Sequence, residues 1–317
     1  MGSEVKMSGL PLEEVSCNLC GSVEATELYP DTRPDLPQSE MIKHFRCTTP
    51  SYGIHYAIVK CSRCGLIYAN PRPAAQEALH SYENVVDQTY LEEREGRVLT
   101  FRRNLEPLEE FIGPGNGRRL LDVGCHIGVF LEIAQERGWE TWGVEPSTWA
   151  SAEACQRGLR VREGTLKQAH FADNFFDVVT LWDVIEHLND PLGELREVNR
   201  VLKPEGLICI HTINIESPLA HLMGARWPWL MEMHLYYFSP RTLRLMLEKA
   251  NFSVVKWVNQ GRYLRLGYLA TRLQAYSSFL SHLLAYLVRN TGLAEVVVPV
   301  NLGDLFTVYA RKALVQK

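Results

Sequence analysis

The segment Leu120-Leu-Asp-Val-Gly-Cys-His-Ile-Gly-Val-Phe130 limits the fold of this chain more than any other stretch. Its apolar start predicts a short buried strand ending at Asp122, and the residues after Gly128 predict a helix. A glycine-bearing turn between a strand and a helix lets the backbone approach a ligand closely and points N–H groups at it. Such turns also occur without any ligand, so the surrounding pattern has to decide between the two interpretations.

From Arg118 onwards, strand-like and helix-like patterns alternate along the chain. This alternation predicts an α/β fold: a mainly parallel sheet with helices on both faces. Ligands of such sheets bind at the carboxyl ends of the strands, where the glycine turn lies. Helices are predicted from Phe130, from near Ser147, from Pro191 and after the N-cap Ser239. The predicted strands are 120–123, 141–144, 159–161, 177–182, 206–210, 252–258 and 304–310.

The second predicted strand ends in Val144-Glu145-Pro146. A carboxylate in this position can accept hydrogen bonds from both hydroxyls of a ribose, as it does in other nucleoside-binding α/β folds. Alternatively, Glu145 does no more than begin the following helix.

Four motifs follow one another along the chain: Leu-Asp-Val-Gly-Cys-x-x-Gly, Gly-Val-Glu-Pro-Ser, the run from Asn174 to Pro191 that contains Asp183-Val-Ile-Glu-His187, and Glu197-Val-Asn-Arg-Val-Leu-Lys-Pro-Glu-Gly-Leu207. As an ordered set they resemble class I S-adenosylmethionine-dependent methyltransferases. The resemblance covers residues 85–260 and is nearest to the small-molecule O- and C-methyltransferases of the ubiquinone-biosynthesis and sugar-modifying type. It implies a Rossmann-like seven-stranded sheet and S-adenosylmethionine as cofactor.

The resemblance also implies a role for each matching residue. The loop around the methionine part of the cofactor would comprise Asp122, Gly124, Cys125, His126 and Gly128. Glu145 would hold the ribose, Pro146, Thr165 and Leu166 would lie by the adenine, and Trp182 and Asp183 would end the fourth strand beside the cofactor. Tyr90, from the preceding helical segment, would cover it, or would simply pack on the surface.

Two residues depart from the family pattern. His126 stands where a glycine is most frequent, so its backbone must stay in a region open to L-residues, and its ring could hydrogen-bond the cofactor's carboxylate. Thr165 stands where an acidic residue often meets the adenine amine, so its hydroxyl or the backbone would have to make that contact.

Two Cys-x-x-Cys-Gly segments, one at Cys17 and Cys20 and one at Cys61 and Cys64, lie ahead of this region. Two intervening residues let both sulfurs of a pair reach one metal ion, and two pairs complete a tetrahedral zinc site. Four thiolates leave no open position, so the zinc would be structural. The alternatives are a redox pair or unrelated buried thiols. The second segment resembles the zinc-binding leader of some bacterial methyltransferases.

Two histidines are candidates for the base that removes a proton from a hydroxyl acceptor. His187 follows the fourth strand, and His234 lies in the aromatic segment from Trp227 to Phe238. A structural Glu-His pair is the alternative for His187, and a helix cap or a loop-fixing hydrogen bond is the alternative for His234.

The pattern divides the chain into a zinc-binding module (1–75), a helical leader (76–117) and a methyltransferase domain (118–317) with an apolar helical insert at about 262–292. The insert could be a substrate lid, a homodimer face or an interfacial membrane helix, since Arg262, Arg265, Arg272 and Arg289 interleave with its apolar residues. We favour a helix that covers the soluble domain.

The net charge and the composition of the N-terminus limit the location and the partners. Neither a signal peptide nor a transmembrane segment is evident, which favours the cytoplasm. A net charge of −4 and a pI near 6.2 disfavour a nucleic-acid partner. The expected function is methyl transfer to a small-molecule acceptor, most readily a hydroxyl. Two alternatives stay open: an RNA methyltransferase that grips RNA with the zinc module, and a non-catalytic cofactor-binding scaffold.

Overall fold

A computed structural model describes residues 11–34, 42–49 and 51–313. Its N-terminal part consists of short strands. They are β1 (Leu12–Glu13), β2 (Ala25–Tyr29), β3 (Ile58–Cys61), β4 (Ile67–Ala69) and β5 (Arg72–Pro73), with a 3₁₀ turn at Ile42–Phe45. Strands β1 and β5 form one antiparallel pair, and β2, β3 and β4 form an antiparallel sheet.

The leader contains three helices: α1 (Ala75–Glu83), α2 (Gln88–Glu92) and α3 (Arg94–Ile112). The sequence pattern predicts helix throughout this region. The structure divides it into three helices, whose ends are marked by capping residues. Asp87 is buried and accepts a hydrogen bond from the Tyr90 N–H, so its carboxylate begins α2. Glycine at 113, with φ of +77°, ends α3.

The remaining elements build the main sheet and its cover. In chain order they are β6 (Arg119–Val123), α4 (Val129–Glu136), β7 (Glu140–Glu145), α5 (Thr148–Gln156), β8 (Val161–Glu163), β9 (Phe176–Trp182), α6 (Pro191–Val201), β10 (Leu202–Ile213), α7 (Pro218–Met223), β11 (Tyr236–Tyr237), α8 (Pro240–Lys249), β12 (Phe252–Asn259), β13 (Arg262–Arg265), α9 (Leu266–Arg272), α10 (Ser278–Asn290), β14 (Val297–Val300) and β15 (Leu305–Lys312). Single 3₁₀ turns lie at Ile185–His187, Gly224–Arg226 and Leu273–Ala275.

Seven of these strands form one sheet in the order β12-β15-β10-β9-β6-β7-β8. Strand β15 is antiparallel to both of its neighbours, and the pairings from β10 to β8 are parallel. The predicted α/β sheet is therefore confirmed. The chain runs outward from β6 to β8 and then crosses back to β9, so a crevice opens between the carboxyl ends of β6 and β9.

Some boundaries differ from the sequence prediction. Leu202 already has extended backbone angles, so β10 begins directly at the end of α6 and is much longer than the predicted 206–210. The insert is not helical from residue 262, because β13 pairs antiparallel with β14 and closes the base of the insert as a two-stranded ladder. The predicted cap of α8 is confirmed: Ser239 and Thr242 form a reciprocal capping box.

The N-terminal strands do not form a separate body. Strand β11, from the aromatic segment after β10, pairs antiparallel with β4 and becomes the fourth strand of the N-terminal sheet. Tyr68 and Cys17 belong to the same buried apolar cluster as Leu121 and Val179 of the main sheet. The two sheets therefore share a hydrophobic core. Within the described ranges, the helices are all too short or too polar to cross a bilayer.

Candidate active site

A cavity of about 980 Å³ opens at the carboxyl ends of β6, β7 and β9. Its walls come from the leader, the glycine turn, the aromatic segment and the insert. Ten of the site residues predicted from the sequence line this cavity. They are Tyr90, Gly124, His126, Glu145, Pro146, Thr165, Trp182, Asp183, His187 and His234.

The turn requires glycines because neighbouring side chains approach them closely and because their backbone angles favour glycine. Gly124 has φ of +70°, and a Cβ there would lie 2.6 Å from the Val184 side chain. Gly128 has φ of +80° and is the N-cap of α4, and a Cβ there would lie 2.2 Å from Leu159. Both positions therefore exclude a side chain.

Glu145 is buried at the end of β7, and its carboxylate joins the turn after β6 to the start of α5. Its Oε2 accepts the His126 N–H at 2.8 Å, and its Oε1 accepts the Ser147 N–H at 2.8 Å. Burial raises the pKa of this carboxyl to about 7, against the opposing effect of the two backbone hydrogen bonds. Each oxygen keeps lone-pair capacity for a further donor, such as a hydroxyl.

Three side chains stack over the glycine turn. His126 has φ of +49°, in the small left-handed region that L-residues can occupy, and its ring lies 3.6 Å from the Tyr90 ring in a stacked arrangement. The guanidinium carbon of Arg97 lies over the Tyr90 ring, 3.4 Å from the ring centroid. Burial lowers the pKa of His126 to about 3, so the imidazole is neutral near pH 7.

Arg97 is a site residue that the sequence analysis missed. Its guanidinium lines the cavity, and its Nε is buried without a hydrogen-bond partner in the described part of the chain. A buried N–H without a partner is costly unless a ligand or water accepts its hydrogen bond. The available signal was the seven-residue spacing from Tyr90, which places both residues near one face if the helix is continuous.

His187 and His234 meet across the cavity, with ring centroids 4.8 Å apart. Nδ1 of His187 lies 2.9 Å from the Met233 carbonyl, and Nδ1 of His234 lies 2.7 Å from the Trp229 carbonyl. Because a carbonyl only accepts, each Nδ1 carries a proton and each Nε2 is left with a free lone pair. Burial lowers the pKa of His187 to about 4 and that of His234 well below its ordinary value.

Two partners surround this histidine pair. The Tyr82 hydroxyl lies 3.0 Å from Nδ1 of His187, so this leader tyrosine contacts a candidate base. Glu186 is buried, accepts the Thr212 hydroxyl at 2.9 Å, and has its pKa raised to about 8 by burial. One ligand atom from each of Glu186, His187 and His234 lies within 4.8 Å of the others, a spacing that a metal ion could bridge.

Asp183 ends β9 in the left-handed region, with φ of +56°. Arg262 of the insert donates to its Oδ1 at 2.7 Å, which ties the insert to the crevice. His211 lies 3.7 Å from the same oxygen through Nε2, and its own pKa is lowered to about 4 by burial. The base of the cavity therefore holds one carboxylate between a fixed cation and a neutral imidazole.

Four predicted cofactor residues lie behind the cavity wall. Asp122, Cys125 and Leu166 are buried in the interior, and Gly128 begins α4 without lining the cavity. Asp122 accepts the Thr180 hydroxyl at 2.7 Å, so it fixes β6 to β9. Thr165 does line the cavity, but its hydroxyl and its N–H both donate to Gln168 Oε1, at 2.9 and 2.8 Å.

The four cysteines of the two Cys-x-x-Cys segments come together outside the cavity. Sγ of Cys17 lies 3.5 Å from Sγ of Cys64, and Sγ of Cys20 lies 3.5 Å from Sγ of Cys61. All four sulfurs lie within 4.8 Å of one another. Tetrahedral zinc–thiolate bonds of about 2.3 Å place sulfurs about 3.8 Å apart, so this donor set fits one zinc ion.

Fold and site together define an α/β protein with a glycine turn, a strand-end carboxylate and a lined cavity at the switch point of its sheet. A family model described as a methyltransferase domain matches residues 90–256. The chain therefore belongs to the methyltransferase-domain family, and the class I methyltransferase resemblance is confirmed at the level of family and fold.

Curated relatives include two ubiquinone biosynthesis O-methyltransferases. The one from Aeromonas salmonicida is 32% identical, over 44% of this chain and 64% of its own length. The one from Aliivibrio fischeri is 34% identical, over 42% of this chain and 63% of its own length. The chain thus spans a little under two thirds of the length of these relatives.

Solved structures with a similar fold include a phosphoethanolamine N-methyltransferase from Haemonchus contortus in complex with S-adenosyl-L-methionine. It is 20% identical with a TM-score of 0.47, covering 67% of this chain and 52% of that one. A S-adenosylmethionine-dependent methyltransferase from Archaeoglobus fulgidus is 19% identical with a TM-score of 0.47, covering 71% of this chain and all of that one.

Asp122 gives a pH-dependent prediction for stability. Burial raises its pKa to about 8, so the folded protein holds this proton more tightly than the unfolded chain does, and ionisation destabilises the fold as pH rises from about 4 to about 8. We expect Asp122→Asn, which still accepts from Thr180, to gain stability relative to wild type over this range by more than about 1 kcal/mol.

Urea unfolding at about pH 5 and about pH 8 measures this difference. The control is Asp173→Asn, whose aspartate has 68% of its side chain exposed and pairs with Arg200 at the surface. If the difference in free energy of unfolding between Asp122→Asn and wild type is the same at both pH values, the raised pKa of Asp122 is contradicted.

Proposed function

We propose that the protein transfers a methyl group from S-adenosylmethionine to a hydroxyl of a small-molecule acceptor. The arrangement that carries this proposal is one cavity lined by Glu145 and by two neutral histidines, His187 and His234. Family membership supports the cofactor class, and the relatives' names support a small acceptor.

The residues around the glycine turn suit the cofactor. Glu145 has acceptor capacity for a ribose diol, and Gly124 leaves room for the backbone to approach it. Arg97 lines the cavity with a guanidinium whose Nε is buried without a partner in the described ranges, which suits the cofactor's α-carboxylate. Trp182 Nε1 is likewise buried without a partner there. When bound, the cofactor supplies an electrophilic methyl on a sulfonium.

The histidine pair provides the acid–base part of the reaction. Each imidazole is held by a carbonyl through Nδ1 and presents Nε2, so either can take the proton of an acceptor hydroxyl as oxygen bonds to the methyl. The lowered pKa values keep both rings unprotonated near pH 7. The Tyr82 hydroxyl and the Met233 carbonyl fix the orientation of His187.

Titration calorimetry with S-adenosylmethionine tests the cofactor half of the proposal. We expect Glu145→Ala to weaken binding by at least about tenfold, because two hydrogen bonds to a carboxylate are lost. The matched control is Glu248→Ala, an exposed glutamate on α8, which should bind like wild type. Failure of the folded wild-type protein to bind the cofactor would refute the proposal.

Formation of S-adenosylhomocysteine with a panel of catechols, phenols and sugars tests the histidines. We expect His187→Gln or His234→Gln to lower the rate by about 10²–10⁴-fold with unchanged cofactor affinity. The control is His80→Gln, whose side chain is 62% exposed on α1. With saturating S-adenosylmethionine, protonation of His187 should not lower the wild-type rate between about pH 9 and about pH 6, because it occurs near pH 4. Two histidine variants with near wild-type rates would exclude a base role.

We further propose that the four-cysteine cluster of Cys17, Cys20, Cys61 and Cys64 binds one structural zinc ion. Zinc would hold the ends of the N-terminal sheet together, and that sheet includes β11, which begins two residues after His234. The ion would therefore stabilise the segment that carries a candidate base, from outside the cavity.

Elemental analysis should find about one zinc per chain, in line with a single four-thiolate site. Cys61→Ser should lose the metal and lower the unfolding temperature, whereas Cys155→Ser, an exposed cysteine outside the cluster, should retain it. Full zinc occupancy in Cys61→Ser would contradict the site.

A further inference from the structure

Helix α10 carries its apolar residues outward. Phe279 is 73% exposed, Tyr286 is 67% exposed and Leu280 is 50% exposed. We call this the insert face. Its members are Tyr276, Phe279, Leu280, Leu283, Leu284, Tyr286 and Leu287.

The opposite side of α10 is the one that contacts the protein. Ser281 is the buried residue of the helix, and its hydroxyl donates to the Ala270 carbonyl of α9 at 2.9 Å. A helix that covers a soluble core places its apolar residues inward. The covering-helix interpretation is therefore wrong for α10, because its polar serine faces inward and its leucines face outward.

The charge along the insert is one-sided. From Leu266 to Ala294 the chain contains no Asp or Glu. The Arg272 guanidinium donates to the Thr48 and Thr49 carbonyls at the cavity, so Arg289 is the arginine exposed on α10. The whole chain has a net charge of −4, so this segment stands out against an acidic background. An apolar face with arginine and no carboxylate is suited to an anionic bilayer surface, which repels carboxylates.

The insert face is continuous with the mouth of the cavity. Tyr276 belongs to the face and also lines the cavity, as do its neighbours Leu273 and Leu302, and Leu302 is 62% exposed. The Tyr276 hydroxyl donates to the Arg226 carbonyl at 3.1 Å, which fixes the face beside the segment after α7. Tyr276, Leu273 and Leu302 therefore give an apolar connection between the face and the cavity.

We propose that the insert face binds the surface of an anionic phospholipid bilayer, and that the acceptor carries an apolar chain and enters the cavity from that surface. The second part rests on the proposed function, and the first part does not. A second copy of the chain could also cover the face, but it would sit over Tyr276 and the mouth, whereas a bilayer offers the cavity an apolar acceptor.

Vesicle co-sedimentation tests the surface directly. Wild-type protein should bind vesicles of phosphatidylcholine mixed with phosphatidylglycerol, and should bind vesicles of phosphatidylcholine alone more weakly. We expect the double variant Phe279→Ser, Leu283→Ser to lower the partition coefficient by at least about tenfold, because two apolar side chains no longer insert. Val23→Ser, which removes an 81% exposed apolar side chain from the N-terminal module, should bind like wild type.

The acceptor part needs a second comparison. A catechol with a long alkyl chain, presented in the same vesicles, should be methylated faster than catechol itself, and the double variant should lose that preference while keeping its rate on free catechol. Equal rates on the two catechols would overturn the acceptor class. Cofactor titration of the double variant, expected to match wild type, shows that it is folded and that the cofactor site is intact.

Two results would overturn the bilayer surface. One is no binding of wild type to either kind of vesicle. The other is concentration-dependent dimerisation in sedimentation analysis that the double variant abolishes, which assigns the face to a second copy. Vesicle binding by a protein that does not bind S-adenosylmethionine would refute the proposed function and leave the surface intact.

Discussion

The buried carboxylate of Glu145 is the interaction on which the geometry of the site depends. It lies at the end of β7 and accepts one backbone N–H from the glycine turn and one from the start of α5. The first of these hydrogen bonds ties the turn after β6 to the end of β7, beside the crevice between β6 and β9. Burial makes the charged form of this carboxyl group costly, so keeping Glu145 in this position lowers the stability of the folded protein.

The same crevice explains why the leader has to fold over the sheet. His126 places a ring where a glycine would leave a gap. Tyr90 of α2 stacks on this ring, and Arg97 of α3 stacks on Tyr90. An imidazole that is neutral near pH 7 stacks without bringing a second charge close to the guanidinium. The departure at His126 thus has a structural role, because it connects the turn to the helices above it.

The order of elements, the glycine turn, Glu145 and the four cysteines could be read from the sequence, because each depends on local pattern or short spacing. The partners of His187 and His234 could not, because their carbonyls come from Met233 and Trp229 on a segment with no regular period. The placement of Asp122 and Leu166 behind the wall depends on which side of a strand or loop packs inward. Strand β11 is two residues long, so no periodicity reveals it.

The direction in which α10 faces was similarly hidden, since an apolar stripe predicts that a helix has a buried side without saying what buries it. The insert is joined to the crevice through Arg262 and Asp183, and its base is closed by β13 and β14. The base of the insert is therefore anchored beside the crevice, and α10 carries its exposed apolar residues outside that anchor.

Pairing of β11 with β4 has a consequence for how the chain is made. The N-terminal sheet lacks its fourth strand until residue 237 has left the ribosome, although its first three strands are complete by residue 69. Until then the free edge of β4 offers unpaired N–H and C=O groups to any other extended chain. The cysteine pairs are synthesised by residue 64, so they are in a position to hold this unfinished sheet together during translation.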